Sequence, residues 1–260
     1  MAFDSLHEQG RGNPHTMAIN RISLNPLSVA RVLGATALVL VLASVAGQLT
    51  VYLTGHDHVH GLVRLTYVDD EQNIPTFFEA LLLFCAALLF AVITVLERKN
   101  ARPRGPYWAV LSAGFLLMAC DEAASLHELL SEPMSSLWGG SPRGIFYHPW
   151  VIPGIAVVIV CGLFFVGFLR HLPAKTRLRL LAAAVLYVGG AIGFELIGNH
   201  YAAIHGDHTL MYSMIATVEE SLEMAGSIVL IYTLLEYIAE AYDIVSFGLG
   251  PSVRSSRVPR

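Results

Sequence analysis

Apolar residues run through this chain in long blocks separated by short polar clusters. Six blocks, near 29–53, 74–96, 107–130, 150–169, 178–200 and 210–237, are long enough to cross a bilayer, because a helical span needs about 20 residues. Pro26, Pro75, Pro106, Pro149 and Pro173 stand at block edges, where proline opens helices and marks turns. The pattern predicts an all-α polytopic membrane bundle of six transmembrane helices. A tail over 1–28, a transmembrane domain over 29–243 and a second tail over 244–260 complete the division.

The first block has a second reading. "LGATALVLVLASVA" after Arg31 resembles a signal-peptide core, with Ser44 and Ala46 as a small-residue cleavage pair. Apolar character continues through "GQLTVYL", which favours an uncleaved helix. Residues 1–16 are polar, and Met17 is an alternative start.

Basic residues set the expected orientation. The connections "ERKNARPRGPY" and "RHLPAKTRLR" each hold four Lys or Arg, while 54–73, 131–148 and 201–209 hold only Arg64 and Arg143. Arg11, Arg21 and Arg31 precede or open the first block, and Arg254, Arg257 and Arg260 close the chain. Both termini are therefore expected in the cytoplasm, with the protein in a bacterial inner membrane.

Composition agrees with the pattern. The chain is 55% hydrophobic and 14% charged, against roughly 25% charged in soluble domains. With a net charge of −4 and no basic block, nothing points to nucleic acid. Cys85, Cys120 and Cys161 lie in separate apolar runs without CxxC spacing, which argues against a disulfide framework or zinc finger. No GxSxG, HExxH, P-loop or usable GxGxxG occurs.

The polar exceptions concentrate at one end of the bundle. Glu79 lies in the second block; Asp121, Glu122, His127 and Glu128 in the third; Glu195, Asn199 and His200 in the fifth; Glu219, Glu220 and Glu223 in the last. At 1.5 Å per residue these groups sit roughly 5–20 Å below the outer surface. On continuous helices, Asp121, Ser125 and Glu128 share a face with Glu122 beside it and His127 pointing elsewhere. Glu195 pairs with Asn199, and Glu220, Glu223 and Ser227 form a stripe with Glu219 at its edge.

Each acid costs on the order of 2.5–3.5 kcal/mol at a membrane centre. Eight ionised and unpaired would cost roughly 20 kcal/mol, above a typical stability of about 5–15. Depth away from the centre and protonation lower this, yet no Lys or Arg falls in the zone to pair with them. Protons, histidines, hydrogen bonds or a bound cation must compensate.

Carboxylates with a few histidines suit a divalent metal ion such as iron, manganese or zinc. The expected ligands are Glu79, Asp121, Glu128, Glu195, His200, Glu220 and Glu223, with Glu122 or His127 as acid/base. The Glu-x-x-His motif of helix-bundle di-iron proteins is absent. The competing structural explanation is a hydrogen-bonded knot between helices, with Glu79 an interfacial anchor and Glu128 near the surface. His56, His58, His60, His148, His205 and His208 also lie outward, as solvated loops or an approach to the acids. Trp108, Trp138, Trp150 and Tyr147 read as interfacial anchors, Gly189, Gly190 and Gly193 as helix-packing positions, and Glu236 and Glu240 as a solvated face.

"NIPTFFEALLLF" (73–84), "DEAASLHE" (121–128) and "EESLEMAG" (219–226) resemble segments of a group of uncharacterised bacterial multipass membrane proteins. That resemblance implies the membrane fold and no activity. It also invites comparison with alkaline-ceramidase-like membrane hydrolases, which place a serine, an aspartate and three histidines around zinc. Ser125 stands only two residues before His127 and no HxxxH occurs in a late helix, which sets this chain apart.

The expectation is an integral membrane protein with an outward carboxylate/histidine metal site, acting on a lipid or other apolar small molecule. A proton- or cation-coupled transporter or metal carrier is the alternative, and a structural subunit of a membrane complex a third. The lipid bilayer is the one partner the sequence names. It carries no sign of oligomeric state.

Overall fold

Two of the long helices begin where a capping side chain meets a proline. In the computed structural model, which describes residues 25–55, 61–137 and 144–242, Asn25 caps α1 (Pro26–Thr54) by accepting from the Leu27 amide at 2.9 Å. Asn73 caps α3 (Ile74–Lys99) through the Thr76 amide at 3.1 Å, and its own amide donates to the Tyr67 carbonyl at 2.5 Å. Thr209 caps α9 (Leu210–Ala241) through the Tyr212 amide at 3.2 Å. Between them lie a short α2 (Leu62–Thr66), α4 (Gly105–Ala124), α5 (Ser131–Leu137), α6 (Val151–Arg170), α7 (Ala174–Val188) and α8 (Glu195–His205). No strand occurs among the described residues. His56, His58, His60, Trp138, Arg143 and both chain ends lie outside them.

The fold is all-α. Five helical segments are long and apolar enough to cross a membrane, or up to six if a bent pair is one span. That pair is the predicted third span, and here the structure departs from a straight helix. α4 stops at Ala124, Ser125 takes φ 51°, and the chain resumes after an 85° bend. A left-handed serine ends a helix much as glycine does. Asp121, Ser125 and Glu128 therefore do not share one helical face. The predicted fifth span is also irregular: α7 passes through a π-helical turn over Gly189–Phe194 into α8.

α3 and α9 form the centre. Within their most apolar windows 44% and 50% of positions are enclosed, against 6% for α1, so these two carry the protein core. α4 packs on α3, while α1 and α7 pack on α9. Val39, Leu42, Val160 and Leu163 remain exposed on α1 and α6, as expected of surfaces facing lipid.

One end of the bundle is basic. There the carboxyl of Glu97, with no exposure, accepts from the hydroxyls of Tyr237 at 3.2 Å and Tyr242 at 2.8 Å. Arg102 and Arg104 approach it at 3.6 and 3.5 Å. Trp108 is not an interfacial anchor: it is fully buried, 4.8 Å from the Phe168 ring and 5.2 Å from Tyr237. Glu236 and Glu240 are not merely solvated, since Lys175 bridges both and Arg179 donates to Glu236 at 2.7 Å. The other end holds the acids.

Candidate functional site

Glu79 occupies the second turn of α3, just inside the Asn73 cap. Facing the bundle centre, its side chain is 1% exposed, and neither carboxyl oxygen has a hydrogen-bond donor. The groups it meets are other carboxyls: Glu220 of α9 in direct contact and Glu122 of α4 nearby. Glu223, one turn along α9, faces the same space and is reached by the Tyr187 phenol from α7. Two carboxylates in contact, both acceptors, must share a proton or a cation.

Glycine sets the spacing of this group. A Cβ on Gly190 would stand 2.6 Å from the Glu219 carbonyl oxygen and 2.8 Å from Glu223 Cγ. A Cβ on Gly226 would likewise stand 2.7 Å from the Tyr187 backbone nitrogen. α7 and α9 thus touch backbone to backbone beside the acids. The π-helical turn falls at this contact, in keeping with the frequency of such turns at functional sites. A Cβ at Gly189 or Gly193 would meet nothing within 4 Å, so of the predicted packing glycines only Gly190 is used that way.

A second group lies further out. Glu195, at the first turn of α8, takes its Oε1 to 3.2 Å from His148 Nδ1, and the His148 amide donates to Asn199 Oδ1 at 3.0 Å. Glu219 contacts Glu195 and lies near both Asp69 and Glu79. The Tyr67 hydroxyl stands 2.9 Å from Asp69 Oδ2 and 3.1 Å from Ser213 Oγ. Burial pushes the Asp69 carboxyl up to about 7, with the neighbouring Glu195 adding to the rise. For His148, burial alone would lower the imidazolium, but the hydrogen bond and charge of Glu195 outweigh it and raise its pKa.

The third group is local to the bend. Asp121 Oδ1 accepts from the His127 amide at 2.6 Å and its Oδ2 lies 3.2 Å from His127 Nδ1. Trp150 packs 4.8 Å from the His127 ring, and Glu71 lies 4.0 Å from its Nε2. His127 therefore faces Asp121 rather than away from it, because the turn after Ser125 folds the chain back. Both Asp121 oxygens are engaged in capping that turn.

Of the expected ligands, Glu79, Glu220 and Glu223 come together, joined by Glu122, which was expected as an acid/base. Glu195 belongs to the outer group and Asp121 to the bend. Glu128, exposed, lies near Glu71 of the bend group, and His200, also exposed, joins none of the three. Sequence reading passed over Tyr187, Asp69, Tyr67 and Glu71. Tyr187 stands next to the "GG" that admits α9, and 69–71 is an acidic run just before a capped helix. Among the described residues, no set of three or more His, Cys, Asp or Glu has its donors already gathered around one point. The inner acids are neighbours without a common centre.

The chain belongs to the family described as a domain of unknown function (DUF8692), which matches residues 32–238. That stretch contains all three polar groups. No curated protein and no solved structure matches the chain.

Proposed function

We propose that this is a multipass metalloprotein of a bacterial inner membrane, in which Glu79, Glu122, Glu220 and Glu223 hold a divalent metal ion near the outer face. The supporting observation is Glu79, a buried carboxyl without a donor that faces other carboxyls and no basic residue. Buried charge persists only when paired or metal-bound, and all-oxygen carboxylate sets suit magnesium, manganese or iron better than softer ions. Arg98, Lys99, Arg102, Arg104 and Lys175 at the opposite end support an orientation with both termini cytoplasmic, and the bent pair counted as one span gives six crossings.

Below the acids the packing turns apolar, through Ala86, Phe90, Ile93, Leu230 and Leu234. An apolar layer on the inner side of the acids favours a resident ion over a conducted one. Held at that depth, the ion would act as a Lewis acid or activate water on a lipid or other apolar substrate reaching it through the membrane. The test is elemental analysis of the detergent-purified chain beside Glu79→Gln and Glu223→Gln. Near-stoichiometric magnesium, manganese or iron in wild type, lost in folded variants, is the expected result. A metal-free wild type, even after reconstitution, would overturn it; cation flux through wild-type liposomes would replace it with transport.

A further inference from the structure

One face of α7 and of the π-helical turn after it stays open. A groove of about 470 Å³ runs along it, lined by Leu181, Val185, Val188, Gly189, Ile192 and Gly193 among others, all of them apolar. At 1.5 Å per residue it is roughly 18 Å long, against roughly 15 Å for one leaflet of a hydrocarbon core about 30 Å thick. Its recess is made by two glycines, since a Cβ at Gly189 or Gly193 would meet nothing within 4 Å. α6 does not line it. That helix touches the turn only near the acids, where a Cβ on Gly154 would meet Ile192 Cδ1 at 3.2 Å, and its far end stacks Phe168 on Tyr107 of α4 at 5.2 Å.

Charge marks one end of this groove. Arg177 stands four residues before Leu181 on α7, hence on the same helix face, one turn beyond the groove at the basic end of the bundle. Arg170 closes α6 across the short turn that joins the two helices. Of the neighbouring cations, Arg102 and Arg104 serve Glu97, and Lys175 and Arg179 serve Glu236, whereas neither Arg170 nor Arg177 has a carboxylate partner among the described residues. α7 also opens after Pro173 without a side-chain cap, so its first amides face the same end with no side-chain acceptor. Such a helix start favours an anion.

We propose that this groove binds an anionic phospholipid of the leaflet at the basic end, with one acyl chain along Leu181 to Gly193 and the phosphate held by Arg170, Arg177 and the start of α7. The site stands whether or not the acids hold a metal. Guanidinium groups suit phosphate because their paired N–H donors match its oxygens, and long basic side chains at helix ends reach out to the headgroups. The glycines let a chain lie against the helix backbone, a closer seat than a face covered by side chains gives. Any lipid could cover an apolar face, and the two arginines without carboxylates are what select a negative headgroup.

The test is native mass spectrometry of the detergent-purified full chain, titrated with phosphatidylglycerol or with phosphatidylcholine of the same chains. Wild type is expected to hold one phosphatidylglycerol about tenfold or more tightly than phosphatidylcholine. Arg170→Gln with Arg177→Gln should erase that preference. Arg98→Gln with Lys99→Gln removes the same charge from α3, which packs on α4 and α9 rather than on α7, and should keep it. Gly189→Leu and Gly193→Leu, each placing a side chain in the recess, should weaken binding of both lipids about tenfold. Thermal unfolding without lipid identifies a variant that fails to fold, and Val185→Trp, at an exposed position of the same lining, then takes its place. Equal binding of the two lipids by wild type overturns the site. So does an equal loss in the two double variants, which would mean a diffuse basic surface. Wild-type binding in the folded groove variants overturns the groove as the seat of the chain.

Discussion

The backbone of Gly190 runs so close to Glu223 that a Cβ added there would meet Glu223 Cγ at 2.8 Å and the Glu219 carbonyl oxygen at 2.6 Å. The inner acids are thus positioned by a backbone contact between the π-helical turn and α9. Gly190→Ala must push α9 away or turn Glu223 aside. It is expected to destabilise the protein by about 1–3 kcal/mol and to lower bound metal. Gly226→Ala, which meets the Tyr187 backbone, should cost a similar amount. Gly114→Ala, with open space around it, is the control. Thermal unfolding in detergent and metal content check all three, and wild-type behaviour of Gly190→Ala would refute the positioning.

Glu79→Gln separates a functional site from a structural knot. Gln keeps the shape, removes a charge and brings two donors to a place where the Glu79 oxygens have none. A satisfied group in place of an unsatisfied one is worth about 1–3 kcal/mol. Measured with chelator present, the variant should be more stable than wild type, and it should lose metal. Such exchange of stability for function is common where a site carries unfavourable chemistry. If Glu79→Gln lowers stability instead, the carboxyl is part of a hydrogen-bonded knot.

The apolar blocks made the helices legible because a bilayer demands long uninterrupted runs, and the caps Asn25, Asn73 and Thr209 stand where those runs begin. That the acids share one end of the bundle was legible too, since position along a helix follows from residue number. Their grouping was not. Ser125 adopts φ 51° without a glycine or proline to announce it, so Asp121 and His127 were assigned to different faces. The π-helical turn shifts register between Tyr187 and Glu195, a change no 3.6-residue periodicity anticipates. Asp69 lies in a polar loop, and only the fold brings it against Glu195.

At the opposite end, Glu97 is a structural device. Its Oε1 accepts from Tyr237 and Tyr242, and the half-exposed Arg102 and Arg104 balance its charge. Glu97→Ala leaves two hydroxyls without their acceptor while the guanidiniums still reach water. A loss of about 1–3 kcal/mol is expected, below the cost of stranding a fully buried charge. Metal content should not change. A metal-free yet folded Glu97→Ala would show that the two ends are coupled.

Acidity should stabilise the outer group. Asp69 ionises near 7 in the fold against an ordinary 3.8, so between these values the folded chain holds a proton that the unfolded chain has released. Its contribution to stability is therefore greatest below about pH 4 and declines until about pH 7. His148, raised above its ordinary 6.5 by Glu195 against the pull of burial, stabilises the fold below that value. Its contribution fades as pH rises through the folded pKa. Both slopes have the same sign, so metal-free protein should lose stability as pH climbs from 4 to beyond 7. Asp69→Asn should remove the acidic part of that slope and leave the part above pH 6.5. Chelator-treated samples unfolded across this range give the answer, and a wild-type stability that rises with pH would contradict the burial of Asp69 beside Glu195.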